Sequence, residues 1–315
     1  MIRAALAALI GSASLAAAEP FVLAFPVDCT LGESCYIQQY VDHDPGPEAQ
    51  DFTCGGLSYD GHKGTDFGLP THADMARGVR VLAAAPGVVR GVRDGVEDRV
   101  YDGQDLQGRD CGNGVAISHA DGWETQYCHM RQGSVQVTTG QEVAAGDLLG
   151  LIGLSGRTQF PHLHVTLRQD GEVVDPFAPE ADDACGSDQS LWAEPLAYVP
   201  GGLLDIGFAT GLPSFAEVQA GTADQARPDR ATALVGYGYA FGVRTGDIME
   251  IGIEGPAGEV IEHRVTMDRT QATAFRAAGR KAQPRGWPAG DYSLTVRLLR
   301  AGTTLSERSE ALSFE

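Results

Sequence analysis

The feature that most restricts the fold is a succession of short apolar runs, each closed by a turn that carries glycine. Within residues 55–179 the runs lie at 79–84, 87–92, 115–118, 135–137, 148–151 and 163–167. Pro86-Gly87, Asp121-Gly122, Ala145-Gly146-Asp147 and Asp170-Gly171 punctuate them. Runs of this length suit strands, helical periodicity is nearly absent, and glycine reaches the turn conformations that link successive strands. The pattern predicts an all-β domain with an antiparallel sheet over residues 55–180. The long polar stretch 94–114 is expected to loop over one edge, where loops often border sites.

The flanking regions read differently. Residues 19–54 hold short apolar pieces broken by Asp44-Pro45-Gly46-Pro47, which predicts an extended lead-in segment. Residues 181–205 are acidic and small at the start and break at Pro200-Gly201-Gly202, so they read as a linker. Beyond it, 248–253, 260–265 and 292–298 alternate with period two, which predicts a β-sandwich of immunoglobulin-like size over 206–315.

Residues 1–18 combine a basic start, a short apolar run and Ala16-Ala17-Ala18, the layout of a cleavable secretory signal. No later run is apolar for long enough to span a bilayer. A formal charge of -19 argues against nucleic acid, whose phosphates need a basic face. The six cysteines suit an oxidising compartment, periplasmic or secreted, and no Cys-x-x-Cys pair suggests a thiolate metal site. Residues 113–118 and 124–127 read as two arms of a hairpin turning at His119-Ala120-Asp121-Gly122, which would set Cys111 and Cys128 opposite each other and favours their pairing.

Three short motifs carry chemistry. In Phe160-Pro161-His162-Leu163-His164-Val165, the two imidazoles are two residues apart on a strand, so both look to one face while Leu163 and Val165 look to the other. In Gly61-His62-Lys63-Gly64-Thr65-Asp66, a straight strand would hold His62 and Asp66 about 13 Å apart. Sharing one ion therefore requires a bend, which Gly64 permits. The third motif is Tyr127-Cys128-His129-Met130, a strand ending on histidine. Each alone is also compatible with ordinary surface or turn histidines. His43, His72, His119 and His263 read as solvated or locally hydrogen-bonded.

Taken together and in this order, Gly-His-Lys-Gly-Thr-Asp-Phe, Tyr-Cys-His-Met and Gly-Arg-Thr-Gln-Phe-Pro-His-Leu-His-Val resemble the lysostaphin/LytM-type zinc metallopeptidases. Ala83-Ala84-Ala85-Pro86-Gly87-Val88-Val89 and the segment from Val143 to Gly150 also look like that family, and the resemblance covers about residues 55–180. It implies a LytM-like antiparallel sheet domain that binds one Zn2+ through His62, Asp66 and His164. Spacing alone leaves open which member of the 162/164 pair holds the metal. It also implies His162 and His129 as catalytic histidines that do not bind metal. Tyr59, three residues before His62, is expected at the rim of such a site. The implied activity is hydrolysis of peptide bonds in peptidoglycan stems or cross-links by a zinc-activated water. Relatives that have lost ligands and only activate other wall hydrolases define one alternative, and a wall-binding scaffold another. The C-terminal domain would then position the catalytic one against the wall or a protein partner.

Overall fold

The computed structural model describes residues 20–180, 186, 189–282 and 284–315. The expected signal at 1–18 and most of the acidic start of the linker lie outside them. The N-terminal half runs β1 (Tyr36–Gln39), β2 (Thr65–Gly68), α1 (His72–Arg77), β3 (Arg80–Leu82), β4 (Gly87–Arg93), β5 (Asn113–Ser118), β6 (Trp123–Met130), β7 (Glu142–Val143), β8 (Leu148–Leu151), β9 (His162–Gln169) and β10 (Glu172–Val174). The C-terminal half runs β11 (Gly202–Ala209), α2 (Phe215–Ala220), β12 (Leu234–Val243), β13 (Ile248–Gly255), β14 (Gly258–Thr266), β15 (Gln271–Arg280), β16 (Gly290–Arg300) and β17 (Thr303–Phe314). The described chain is nearly all β, as expected.

The main sheet has the order β1-β2-β9-β6-β5-β4-β7, with β10 appended to β9, and every pairing is antiparallel. Alternation along β9 decides its two faces. Leu163, Val165 and Leu167 are buried with Phe67, Tyr127, Val115 and Ile117 in the core beneath the sheet, whereas His162, His164, Thr166 and Arg168 stand on the opposite face. The lead-in segment supplies β1, which pairs with β2 through a bulge at Gln38.

Two expectations change. Residues 135–137 form no strand: they lie between turns at Gly133 and Gly140, and Gln136 N–H donates to Leu149 O at 2.9 Å without a ladder developing. The short helix α1 is an addition to the predicted elements. Thr71 caps it, Asp74 closes the capping box, and Gly78 in the left-handed conformation ends it after six residues.

The C-terminal half is a sandwich of a three-stranded sheet, β11-β12-β15, and a four-stranded sheet, β14-β13-β16-β17. Leu203, Phe208 and Leu234 from the first meet Ile251, Leu294 and Val296 from the second. β12 is buried on both sides. Its Tyr237, Tyr239 and Phe241 join the core of the N-terminal half, while Gly236 and Gly238 face the other sheet so closely that a Cβ would lie 2.5 Å from Leu294 and 2.6 Å from Val296. The interleaved glycines blur the apolar alternation that would have marked this strand in the sequence.

Candidate metal centre

Pairing of β2 with β9 sets Asp66 directly opposite His164, and opposed residues project from the same face. Gly64 lets the chain before β2 press against that pair. A Cβ there would sit 2.5 Å from Val165 O and 2.7 Å from the His164 ring. Close approach, not a left-handed backbone, is thus what demands glycine at 64. The turn that follows Tyr59 then delivers His62, with Gly61 at φ +73°.

The three side chains converge. His62 Nε2 lies 3.2 Å from Asp66 Oδ1 and 3.2 Å from His164 Nδ1, and His164 Nδ1 lies 2.7 Å from Asp66 Oδ1. All three residues are buried or half-buried, and among the described residues they form the only group of His, Cys, Asp or Glu donors close enough to share an ion. Donors held about 2.0–2.2 Å from a tetrahedral zinc would be separated by roughly 3.3–3.6 Å; the two separations from His62 Nε2 come close to this, and the His164–Asp66 one, at 2.7 Å, is shorter.

Hydrogen bonding tests the fit. The Tyr40 carbonyl 2.7 Å from His62 Nδ1 can only accept, so that nitrogen carries the proton and the neutral ring turns the lone pair of Nε2 towards Asp66. A ring lone pair and a carboxylate 3.2 Å apart call for positive charge between them. A proton on His62 supplies it, and Asp66 raises that pKa against the effect of burial. A divalent ion supplies it for all three donors at once. For Asp66, burial disfavours the charge, yet the imidazoles of His62 and His162 and the hydrogen bonds of His164 and His62 outweigh it and hold the carboxyl well below the usual range. The donor set fits zinc.

Two more imidazoles border the trio. His162 donates from Nδ1 to Phe160 O at 3.0 Å, touches Thr158 Oγ1 at 3.1 Å, and stacks on the Phe160 ring at 4.3 Å. Its Nε2 then faces the centre, 3.5 Å from Asp66 Oδ1. His129 donates from Nδ1 to Ser155 O at 2.8 Å, and its ring lies 4.6 Å from that of His162. His129 has φ +63°, rare for a non-glycine residue. The Cys111–Cys128 disulfide and the bond from His129 N–H to Cys111 O at 2.8 Å hold it there. Burial pushes the pKa of both rings down, for His129 with further help from the neighbouring imidazoles, so both favour the neutral form.

The walls come from the long loop, which the sequence places at an edge where sites are often bordered, and from the lead-in segment, to which the sequence gives no part in the site. The long loop lies along the 154–158 segment: Arg99 N–H bonds Leu154 O, Tyr101 N–H bonds Thr158 O, and Arg157 N–H bonds Asp110 O. Opposite, Asp42 accepts from Gly61 N–H at 2.8 Å and its own N–H donates to His62 O at 2.9 Å, clamping the turn that carries His62. Tyr59 is half exposed with its ring 4.5 Å from that of His62, at the rim as expected. Gln39, in register with Asp66, buries an Oε1 that has no partner among the described residues. Nothing in the local pattern marks Asp42 or Gln39, since both act across chain separations of about twenty residues or more. His43 is not solvated but bonds Asp175 at 2.8 Å, and His119 bonds Pro86 O and Thr125.

Residues 60–176 match the family model Peptidase family M23, and that segment is a peptidase M23 domain. The DD-carboxypeptidase/endopeptidase Mpg of Neisseria meningitidis serogroup B is 32% identical over 119 residues, 37% of this chain and 22% of that protein. The peptidoglycan DD-endopeptidase ShyA of Vibrio cholerae is 34% identical over 113 residues, 36% of this chain and 21% of that protein. The chain thus spans about a fifth of the length of these curated relatives. Among solved structures, a mutant catalytic domain of the prophage-encoded M23 protein EnpA from Enterococcus faecalis shares 27% identity, covering 45% of this chain and 88% of that one with a TM-score of 0.31.

Proposed function

We propose that this chain is an exported zinc metalloendopeptidase that hydrolyses peptide bonds in peptidoglycan stems or cross-links. The working partition is a signal at 1–18, a lead-in at 19–54, a peptidase unit at 55–180, a linker at 181–205 and a sandwich at 206–315. The observation that carries the reading is the convergence of His62 Nε2, Asp66 Oδ1 and His164 Nδ1 beside two further imidazoles. ShyA, by the name it carries, is a peptidoglycan DD-endopeptidase, and Mpg is named a DD-carboxypeptidase/endopeptidase. No helix among the described residues is long and apolar enough to cross a membrane.

His62, Asp66 and His164 would hold one zinc ion, which when bound acidifies water and polarises the scissile carbonyl. His162, with Nδ1–H tied to Phe160 O, keeps a basic Nε2 towards the centre, where it takes the proton of the attacking water and later returns it to the leaving amine. His129 has the same tautomer for the same reason, so in its neutral form it shares the proton transfer, and only once protonated does it steady an oxyanion. Three ligand positions filled with donors in reach of one another weigh against a purely non-catalytic activator.

The test is a pair of substitutions. His164→Ala is expected to lose zinc and hydrolysis together, whereas His162→Ala should retain one zinc per chain and lose at least about a hundredfold in turnover. Zinc loss in His162→Ala with retention in His164→Ala would reverse the ligand assignment. Full turnover in both would end the assignment of hydrolysis to this centre.

A further inference from the structure

The metal centre stands at one end of a row. Along the β6–β9 ladder Cys128 is opposite His164, Gln126 opposite Thr166, and Glu124 opposite Arg168, with no register break. Opposed residues share a face and every second residue returns to it, so these three pairs continue the open face that carries the centre. Four steps of roughly 3.3 Å set Arg168 about 13 Å along the strand from His164.

The row ends in two arginines around one glutamate, with the Asp170 carboxylate set against Gly122 at the edge of the cluster. Arg168 donates to Gln126 Oε1 at 3.1 Å and lies 3.6 Å from Glu124 Oε1, while Arg90 on β4 pairs with Glu124 at 2.8 Å. Two guanidinium groups share one carboxylate, on a chain whose formal charge is -19. With Gly122 and Gly171 they line a pocket of about 390 Å3. The Arg168 side chain is only 26% exposed and is braced by Gln126, so its planar fork is held rather than free in solvent. Its Nε and Nη2 have no hydrogen-bond partner among the described residues. An ion pair that merely tied two strands would need one arginine for this glutamate, and the second is surplus to it.

We propose that this pocket is a subsite for a carboxylate on a peptide lying along the β9 face. An extended peptide covers about 13 Å in roughly four residues, so the group read would lie about that far from the scissile bond. Resting on the peptidase reading above, this makes acid-bearing wall cross-links the favoured substrates over uncharged ones such as glycine bridges.

The test measures binding and cleavage separately on the full chain. The probes are a synthetic cross-linked stem-peptide dimer with free carboxylates and the same dimer with its carboxylates amidated. Wild type is expected to bind the acid form at least about tenfold tighter, the strength of one charge-assisted contact. Arg168→Gln should bring the ratio of the two affinities to within about twofold of one. Glu124→Gln, which removes the competing carboxylate, should widen it, an opposite sign that a structural role for the network would not produce. Equal binding of both dimers by wild type, or an unchanged ratio in Arg168→Gln, overturns the subsite. Calorimetry on chelator-treated chain needs no turnover, so selective binding of the acid form there, with no cleavage of either dimer by the zinc-loaded chain, would count against the hydrolase reading and for the subsite.

Discussion

A single added methyl at Gly64 reports how tightly the metal centre is built. Its Cβ would meet the backbone oxygen of Val165 and the ring of His164, neither of which can swing away without moving a ligand. Gly64→Ala is therefore expected to weaken zinc binding at least about tenfold and to destabilise the fold by about 1–3 kcal/mol, measured by chelator competition and urea unfolding. Unchanged zinc affinity would show that the ring has room to shift. Asp42 acts at one remove, through the turn that carries His62. Asp42→Asn keeps the shape but can turn an N–H against the Gly61 N–H, so zinc affinity should fall by about 10–100-fold while the fold persists. At this scale the sequence is informative about the histidines and Asp66, because residue type and order signal metal chemistry. It is silent about Asp42 and Gln39, whose partners are chosen only when β1 docks on β2.

Among the elements, the hairpin of β5 and β6 is legible, and with it the Cys111–Cys128 bridge, because two alternating runs around a glycine turn leave one register. Cys29 also pairs with Cys35, and Cys54 is disulfide-bonded. Replacing Cys111 and Cys128 by serine opens a loop of 17 residues and should reduce stability by roughly 3 kcal/mol. Turnover should fall further than zinc content, since His129 loses the tether that holds its unusual backbone. Equal falls in both would separate the bridge from His129. The lead-in is pinned to the end of the peptidase unit by His43 and Asp175. The hydrogen bond from Asp175 raises the His43 pKa above its ordinary 6.5, against the opposing effect of burial. The folded chain then holds its proton more tightly than the unfolded one. The stabilisation is full below about pH 6.5 and drains away as pH rises through the higher folded value. Unfolding free energy of wild type should accordingly fall towards that of His43→Gln as pH climbs through neutrality. Parallel pH curves for the two chains would contradict this. α1 is hard to read because six residues are too few to show a helical period, although its Thr-x-x-Asp cap is present in the sequence.

Seen as a whole, the molecule joins its two halves through a shared core. Phe241 on β12 packs at 4.6 Å against Tyr36 on β1, and Gln38 donates to Ala272 O at 3.0 Å, so the sandwich rests on the edge strand next to the one bearing Asp66. Both all-β units are readable from alternation, but their contact is not, because aromatic residues spaced by glycine do not declare which neighbour they will bury against. Phe241→Ala should cost about 3–5 kcal/mol and split a single unfolding transition into two. One sharp transition at unchanged stability would mean that the halves do not support each other. The measurement that bears most directly on the account is mass spectrometry of fragments released from purified peptidoglycan by the full chain, with zinc, with chelator, and with zinc restored. Fragments carrying newly cut peptide bonds should appear with zinc, vanish with chelator and return on restoration. Intact peptides under all three conditions, or cleavage indifferent to the chelator, would contradict a zinc peptidase built on His62, Asp66 and His164.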